Sequence, residues 1–433
     1  MAVRRGRARV STVVAAAMCV VAALPGWVSA AEPNPYEFAQ GARQVKGAPS
    51  STEATTVLQA GATYRSSIGP DDDKLYYRVS LDAESAAYVS AVVVPQLGTK
   101  VAYGDGLSAR LLDDRGRNCG RGSGTAGFRS ADYPRPIVAS AERLVRSGGT
   151  WCQEAGTYDF VIERKGAADS GGEPWELELT FAEEPPLKSG GEATRAPETW
   201  NSAPAEPPVG TARERAGGTS FHTAADLASG VWKDRVKPGQ TRFYRVPVDW
   251  GQRLSAEATL AGTTGGSGSV SSALHLTLHN PARSEVTSDG TLFRGDPAPA
   301  VLDPLPSVAY ENRYGSLGRV REMRSPGWYY LKVSLNPALR ERYGDQGLGV
   351  TLRVGVDGQA KSGIEYAGDP GVFQVGAGGR AGPGGTSGPA YDRGTMRVVA
   401  VAGIGTGSAL VLGLGVWTLV ARRRAGDGPP RAW

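Results

Sequence analysis

Two stretches of this chain carry the same series of short strand-like motifs in the same order, and that repeat limits the fold more than any other feature. Ile68-Gly69-Pro70 followed by Leu75-Tyr76-Tyr77-Arg78-Val79-Ser80-Leu81 corresponds, with one residue of slippage, to Val236-Lys237-Pro238 followed by Phe243-Tyr244-Arg245-Val246-Pro247-Val248. Leu107, Ala109 and Leu111, running into Asp113-Asp114-Arg115-Gly116, match Leu274, Leu276 and Leu278, running into Asn280-Pro281-Ala282-Arg283. Gly156-Thr157-Tyr158-Asp159-Phe160-Val161-Ile162 then matches Gly327-Trp328-Tyr329-Tyr330-Leu331-Lys332-Val333, and Leu177-Glu178-Leu179 matches Val350-Thr351-Leu352. Four landmarks in one order indicate duplication.

Each landmark places apolar residues on one parity and polar or charged residues on the other, between Gly, Pro, Asp or Asn. That is the period of a strand with one buried face. With 60 Gly and 29 Pro against 8 Phe and 4 Met in 433 residues, turns must be frequent and an all-helical protein is excluded. The clearest helical stretch, Pro337 to Tyr343, is short. Each block is therefore expected to fold as an antiparallel β-sandwich that buries its apolar parity between two sheets.

The pattern of a polar turn, an aromatic-Tyr-Arg-Val strand and a later Gly-x-Tyr-x-x-x-Val strand resembles the bacterial pre-peptidase C-terminal domain. The resemblance lies at Leu75–Leu81, Phe243–Val248, Gly156–Ile162 and Gly327–Val333. It implies a small jelly-roll-like sandwich of the kind appended to secreted enzymes and surface proteins, non-catalytic, with some members binding extracellular polymers and some calcium. This chain departs from the family's usual setting in having no peptidase domain ahead of the modules. The expected fold class is all-β: two tandem antiparallel, jelly-roll-like sandwiches plus one C-terminal transmembrane helix.

The ends place those modules. Arg4, Arg5, Arg7 and Arg9, an apolar run from Val10 to Leu24, and Val28-Ser29-Ala30 read as a signal peptide over residues 1–30. Val398 to Val420 is 23 residues without a charge, enough at about 1.5 Å per residue to cross a bilayer core. Arg422, Arg423 and Arg424 follow it, which puts the tail in the cytoplasm and the body outside. The expected order is signal peptide 1–30, first sandwich 31–182, Pro-rich linker 183–220, second sandwich 221–357, Gly-rich stalk 358–395, membrane helix 396–421 and tail 422–433. Gly403 and Gly407 form a G-x-x-x-G through which two such helices can pack closely.

Charge acquires a different meaning once the ends are set aside. The whole chain has a formal charge of +5, but without the leader and tail 40 basic residues face 42 acidic ones, a net of −2. The excess is a targeting feature, and no nucleic-acid partner is expected. Arginine outnumbers lysine 39 to 9, as in proteins of high-GC, actinobacterial-type bacteria.

Few residues are candidates for chemistry. Cys119 and Cys152 are the two cysteines left after the leader, an even pair at neighbouring strand ends in an oxidising compartment, and a disulfide is expected. In the second block Val286 and Met323 stand near the equivalent positions, where packing would replace the crosslink. His275 and His279 share one parity of a strand, opposite three leucines, and read as surface histidines rather than metal ligands. Asp71-Asp72-Asp73 reads as a solvated turn, with calcium as the alternative. Tyr310-Glu311-Asn312-Arg313-Tyr314, with Arg319, Arg321 and Arg324 nearby, is an irregular loop of residue types that carry ligand or partner surfaces. G-x-S-x-G, H-E-x-x-H and P-loop signatures are absent, so no catalytic, cofactor or metal residue is assigned.

These features point to a non-catalytic, membrane-anchored surface protein whose two sandwich modules bind or adhere, acting as an accessory or partner-binding envelope protein. The expected partners are the membrane and a protein or cell-wall polymer. The alternatives are a secreted-type hydrolase or peptidase-associated enzyme, and a subunit of an envelope complex assembled through its membrane helix.

Overall fold

The alternating motifs form strands, and one pairing plan is used twice. The computed structural model describes residues 35–375 apart from 121–123, 130–132, 147, 167–169, 190–194, 196 and 198. The first block holds β1 (Arg43–Gln44), β2 (Val57–Leu58), β3 (Thr63–Ile68), β4 (Lys74–Leu81), β5 (Ala86–Val94), β6 (Gly106–Leu112), β7 (Gly124–Gly127), β8 (Ile137–Arg143), β9 (Gly156–Lys165) and β10 (Trp175–Glu184). The second holds β11 (Arg213–Glu214), β12 (Ala225–Asp226), β13 (Gly230–Val236), β14 (Thr241–Val248), β15 (Arg253–Leu260), β16 (Val270–His279), β17 (Glu285–Phe293), β18 (Ala298–Val301), β19 (Gly327–Leu335) and β20 (Leu348–Asp357).

Sheets ordered β1-β3-β10-β5-β8 and β2-β4-β9-β6-β7 build the first sandwich, and β11-β13-β20-β15-β18 and β12-β14-β19-β16-β17 the second. Replacing each strand by the one ten places later turns the first plan into the second. One detail differs from the expected antiparallel sandwiches. β1, β2, β11 and β12 run parallel to β3, β4, β13 and β14, so each sheet is mixed at one edge. These strands have two residues each, too few to show a period in the sequence.

The apolar parity is buried between the sheets. Val79, Leu107, Phe160 and Ile162 meet Val89, Val93, Leu177 and Leu179 in the first core. Val246, Leu274, Leu278 and Leu331 share the second core with Ala258, Val350 and Leu352. A matching device recurs at one edge: a Cβ at Gly47 would stand 2.8 Å from the Tyr77 ring and one at Gly217 2.7 Å from the Tyr244 ring. Glycine at both sites lets the buried phenol reach its partner, Ser66 at 2.9 Å in one case and Asp234 at 2.7 Å in the other.

The second parity is where expectation and structure part. β4 keeps alternating burial, but β5 is buried along nearly its whole length and β16 is buried on both parities toward its end. The outer face of the β5–β10 sheet docks on the outer face of the β16–β19 sheet, and the described residues belong to one compact unit. Tyr36, Val92, Val138, Phe221, Ala224 and Phe243 form an apolar cluster across the seam.

Segments read as linker and stalk contribute to this body. Glu183 and Glu184 complete β10, and Arg213–Glu214 already pairs with the second sandwich, so both ends of 183–220 lie within the sandwiches. Between them Arg253 donates to the carbonyls of Asn201 (3.3 Å) and Ala203 (3.4 Å). After Asp357 the chain brings Tyr366 to Glu184 and Phe373 to Tyr88, with ring centroids 5.2 Å apart in the latter pair. Contact with the sandwiches holds the described parts of these segments, and 376–395 of the expected stalk lies outside the described residues. The leader, Gly403, Gly407 and the apolar run lie outside the described residues; among those described, no helix is long and apolar enough to cross a membrane.

Candidate functional site

Two carboxylates on β10, both on the parity that faces away from the first core, organise the seam. Glu178 is fully buried and accepts from Tyr36 Oη (2.8 Å), Arg283 (2.7 Å) and the Ala39 amide (3.1 Å), with His222 Nε2 at 3.0 Å. Burial alone would raise its pKa, but the His222 hydrogen bond and the Arg283 charge outweigh burial and hold it down at about 2. Six residues further, Glu184 accepts from Arg313 (3.0 Å), Ser325 (2.9 Å), Tyr366 (2.8 Å) and Tyr88 (2.6 Å). Arg324 adds contacts to Glu142 (2.5 Å) from the first sandwich and Glu322 (3.2 Å) from the second. Buried charges with this many partners are costly to separate, because removing one strands the other in a dry interior.

Docking leaves a cleft of about 610 Å³ between the sandwiches. One wall comes from β7, β8 and the chain between them, with Arg135, Ser140 and Glu142; the other comes from β16, β17 and β19, with His275, Ser288, Asp289 and Lys332. The lining is polar and draws on both blocks, so the cleft exists only in the docked form. Lys332 is 3% exposed and donates to the Pro136 carbonyl at 2.9 Å. Burial pushes its ammonium down to about 7, an effect that Glu285 opposes and Arg135 reinforces. Burial, then Arg135 and Lys332, likewise push His275 down to about 3. A smaller hollow of about 390 Å³ shares Gly120 and Glu142 with the cleft and is lined by Trp151, which is 52% exposed.

The residues singled out in the sequence fall into four groups. Cys119 and Cys152 are joined, with S–S 2.06 Å and Cα–Cα 5.5 Å. Tyr310–Tyr314 forms a 3-10 turn rather than an open loop; its Arg313 is 2% exposed and paired with Glu184, and Tyr314 lies under Arg146 of the first sandwich. The loop's binding chemistry thus faces this chain's own first sandwich. His279 is fully buried and His275 lines the cleft, which corrects the reading of both as surface residues: their parity is the docked face. Asp72 accepts from the Gly69 amide at 2.7 Å and closes its turn; among the described residues no group of three or more His, Cys, Asp or Glu is placed to hold a metal.

Glu178, Glu184, Arg283 and Lys332 were not singled out as site residues. Glu178, Glu184 and Lys332 alternate like any solvated strand face, and Arg283 lies in a turn between strands. A signal did exist in β5, where Ala86-Ala87-Tyr88-Val89-Ser90-Ala91-Val92-Val93-Val94 is apolar on both parities, as in a strand covered on both sides.

No protein-family model matches the chain, and no curated protein is similar to it. Solved structures resemble parts of it. The pre-peptidase C-terminal domain of a Bacillus anthracis collagenase aligns at 13% identity and TM-score 0.17, over 34% of this chain and 97% of that one. The CUB1-EGF-CUB2 region of human MASP-1/3 aligns at 7% identity and TM-score 0.17, over 68% and 99%. A tandem CBM22 fragment of Xyn10C from Paenibacillus barcinonensis aligns at 10% identity and TM-score 0.16, over 71% and 95%. Overlaps this low say nothing further about the chain, and the two sandwiches stand on their own strand pairing.

Proposed function

We propose that this is a non-catalytic, exported binding protein, tethered to the cell surface by its C-terminal apolar segment, in which two sandwiches act as one rigid head. The observation that carries the reading is the cleft of about 610 Å³ whose walls come from both sandwiches and whose shape is held by buried ion pairs on Glu178 and Glu184. Its volume falls in the range of roughly 300–1,000 Å³ usual for ligand sites, and perturbed titratable groups face it. The leader-like residues 1–30 and the uncharged run Val398–Val420 support export and anchoring. Rigidity matters because a preorganised cleft loses little conformational entropy on binding.

The test uses the full-length protein in detergent micelles, applied to immobilised cell-wall polymer and to arrayed extracellular glycans and peptides. Ser288→Trp, on the exposed lip of the cleft, should abolish binding while leaving the melting temperature unchanged. Binding that persists in Ser288→Trp would overturn the cleft as the site. On intact cells, external protease should cut the body away and leave a membrane fragment; full protection would overturn the topology.

A further inference from the structure

Lys332 stands apart from the other buried cations of the seam. Arg283, Arg313 and Arg324 each meet a carboxylate at 2.5–3.0 Å. The Lys332 ammonium, equally buried, has the Pro136 carbonyl and no carboxylate in ion-pair contact among the described residues. A cation out of water with no carboxylate in contact is unfavourable; Glu285 acts on it only at longer range, and Arg135, 5% exposed and held between the Phe128 and Tyr133 rings, adds a like charge. Both line the same open cleft, so an anionic group entering it would give Lys332 the contact it lacks.

The rest of the lining narrows the ligand. Ser140, Ser288, Asp289 and Glu285 offer hydroxyls and carboxylate acceptors, suited to a ligand rich in hydroxyl groups. Past Glu142, the adjoining hollow presents Trp151, whose neighbour Cys152 is locked to Cys119 and whose carbonyl accepts from Gln153 at 3.0 Å. A half-exposed indole presents a negative π-face to the C–H bonds of a sugar ring. Given that the cleft is the binding site, we propose that it takes an acidic oligosaccharide, with the acid group on Lys332 and Arg135 and a sugar ring against Trp151.

The groups facing Lys332 are Arg135, Glu285, His275 and His279, with Glu142 and Glu322 further along the cleft. Protonated Lys332 is the binding form, so affinity for the acid should fall as pH rises through about 7. The experiment is calorimetric titration of the full-length protein in micelles with a uronic-acid trimer, a sugar-phosphate trimer and a neutral trimer. At least one acidic trimer should bind ten-fold or more tighter than the neutral one, and which acid does so identifies the anionic group. Lys332→Met should remove that preference without lowering the melting temperature, since it replaces a buried cation with an apolar side chain of similar length. Lys332→Arg should restore the preference and reduce its pH slope between pH 6 and 8. Trp151→Ala should weaken trimers more than monomers. Equal affinity for acidic and neutral trimers, no binding of any trimer, or a preference that survives Lys332→Met would each overturn the proposal. The Ser288→Trp result is read separately and decides the cleft reading itself, whatever ligand the cleft takes.

Discussion

The same end of the two sandwiches is closed by different means. In the first, Cys119 and Cys152 join positions 33 apart across the chain leading from β6 to β9. In the second, Val286 and Met323 are buried near the equivalent positions, and the segment between β18 and β19 adds Leu302, Leu305 and Val308 to the core. A crosslink acts mainly by restricting the unfolded chain, whereas core side chains act by leaving water. The segment 302–326 is about twice the length of its counterpart 144–155, and it carries Arg313, Arg324 and Ser325 to Glu184 and Glu142 of the first sandwich. One copy of the plan thus uses this end to hold Trp151 beside a disulfide, and the other uses it to dock. A duplicated frame tolerates such divergence because the paired strands, not the connections, hold each core together.

That contrast can be broken by experiment. The largest effect is expected at the docking contact: Arg313→Ala leaves Glu184 buried without its main counter-charge and should cost about 3–5 kcal/mol, read as a lower denaturant midpoint. It should also loosen the seam, so that hydrogen exchange rises in β5 and β16 before the cores open. If exchange rose equally in all four sheets, the seam would not be a separate element of stability.

Next come the two closures. Replacing both Cys119 and Cys152 by Ser should cost about 3–4 kcal/mol, and Met323→Ala, which opens a cavity in the second core, about 3 kcal/mol. The disulfide loss should appear chiefly as a change in the unfolded chain, with a larger denaturant slope, and the Met323 loss as a lower midpoint at constant slope. Identical slopes in the two variants would remove the distinction drawn between them.

The smallest effect concerns pH. His275 has its folded pKa pushed down to about 3, below its ordinary value near 6.5, so the unfolded chain binds the proton more readily. Stability from this group is complete above about pH 6.5 and declines as pH falls toward 3. At pH 5 the loss should be on the order of 1–2 kcal/mol, and His275→Gln should lack that component. A variant with the same acid profile as the parent would show that His275 takes up its proton equally readily in the folded and unfolded chain.

Four strands of each ten-strand plan were legible in the sequence, while β5, β8, β15 and β17, though long enough to alternate, fall outside the repeated landmarks. β4, β6, β9 and β10 and their counterparts all fall on the repeated landmarks. The disulfide was legible because an even cysteine pair at adjacent strand ends has one partner choice. The two-residue parallel edges were not, since two residues carry no period. Nor was the site. Its residues sit on the polar parity of ordinary strands or, like Arg135 and Arg283, in the connections between them, and Tyr310–Tyr314 announced a contact surface without saying that its partner was β10 of the same chain.

Alternation along the chain determined the sandwiches, their number and their order, because a side-chain period of two is a local property of the backbone. Tertiary structure alone decided which outward faces meet water and which meet each other. Glu178, His279 and Lys332 have the same local pattern as exposed neighbours, and only the approach of a second sheet, distant in sequence, turns them from solvated residues into buried ones. Burial depends on what arrives from elsewhere, and a strand's own sequence does not carry that information.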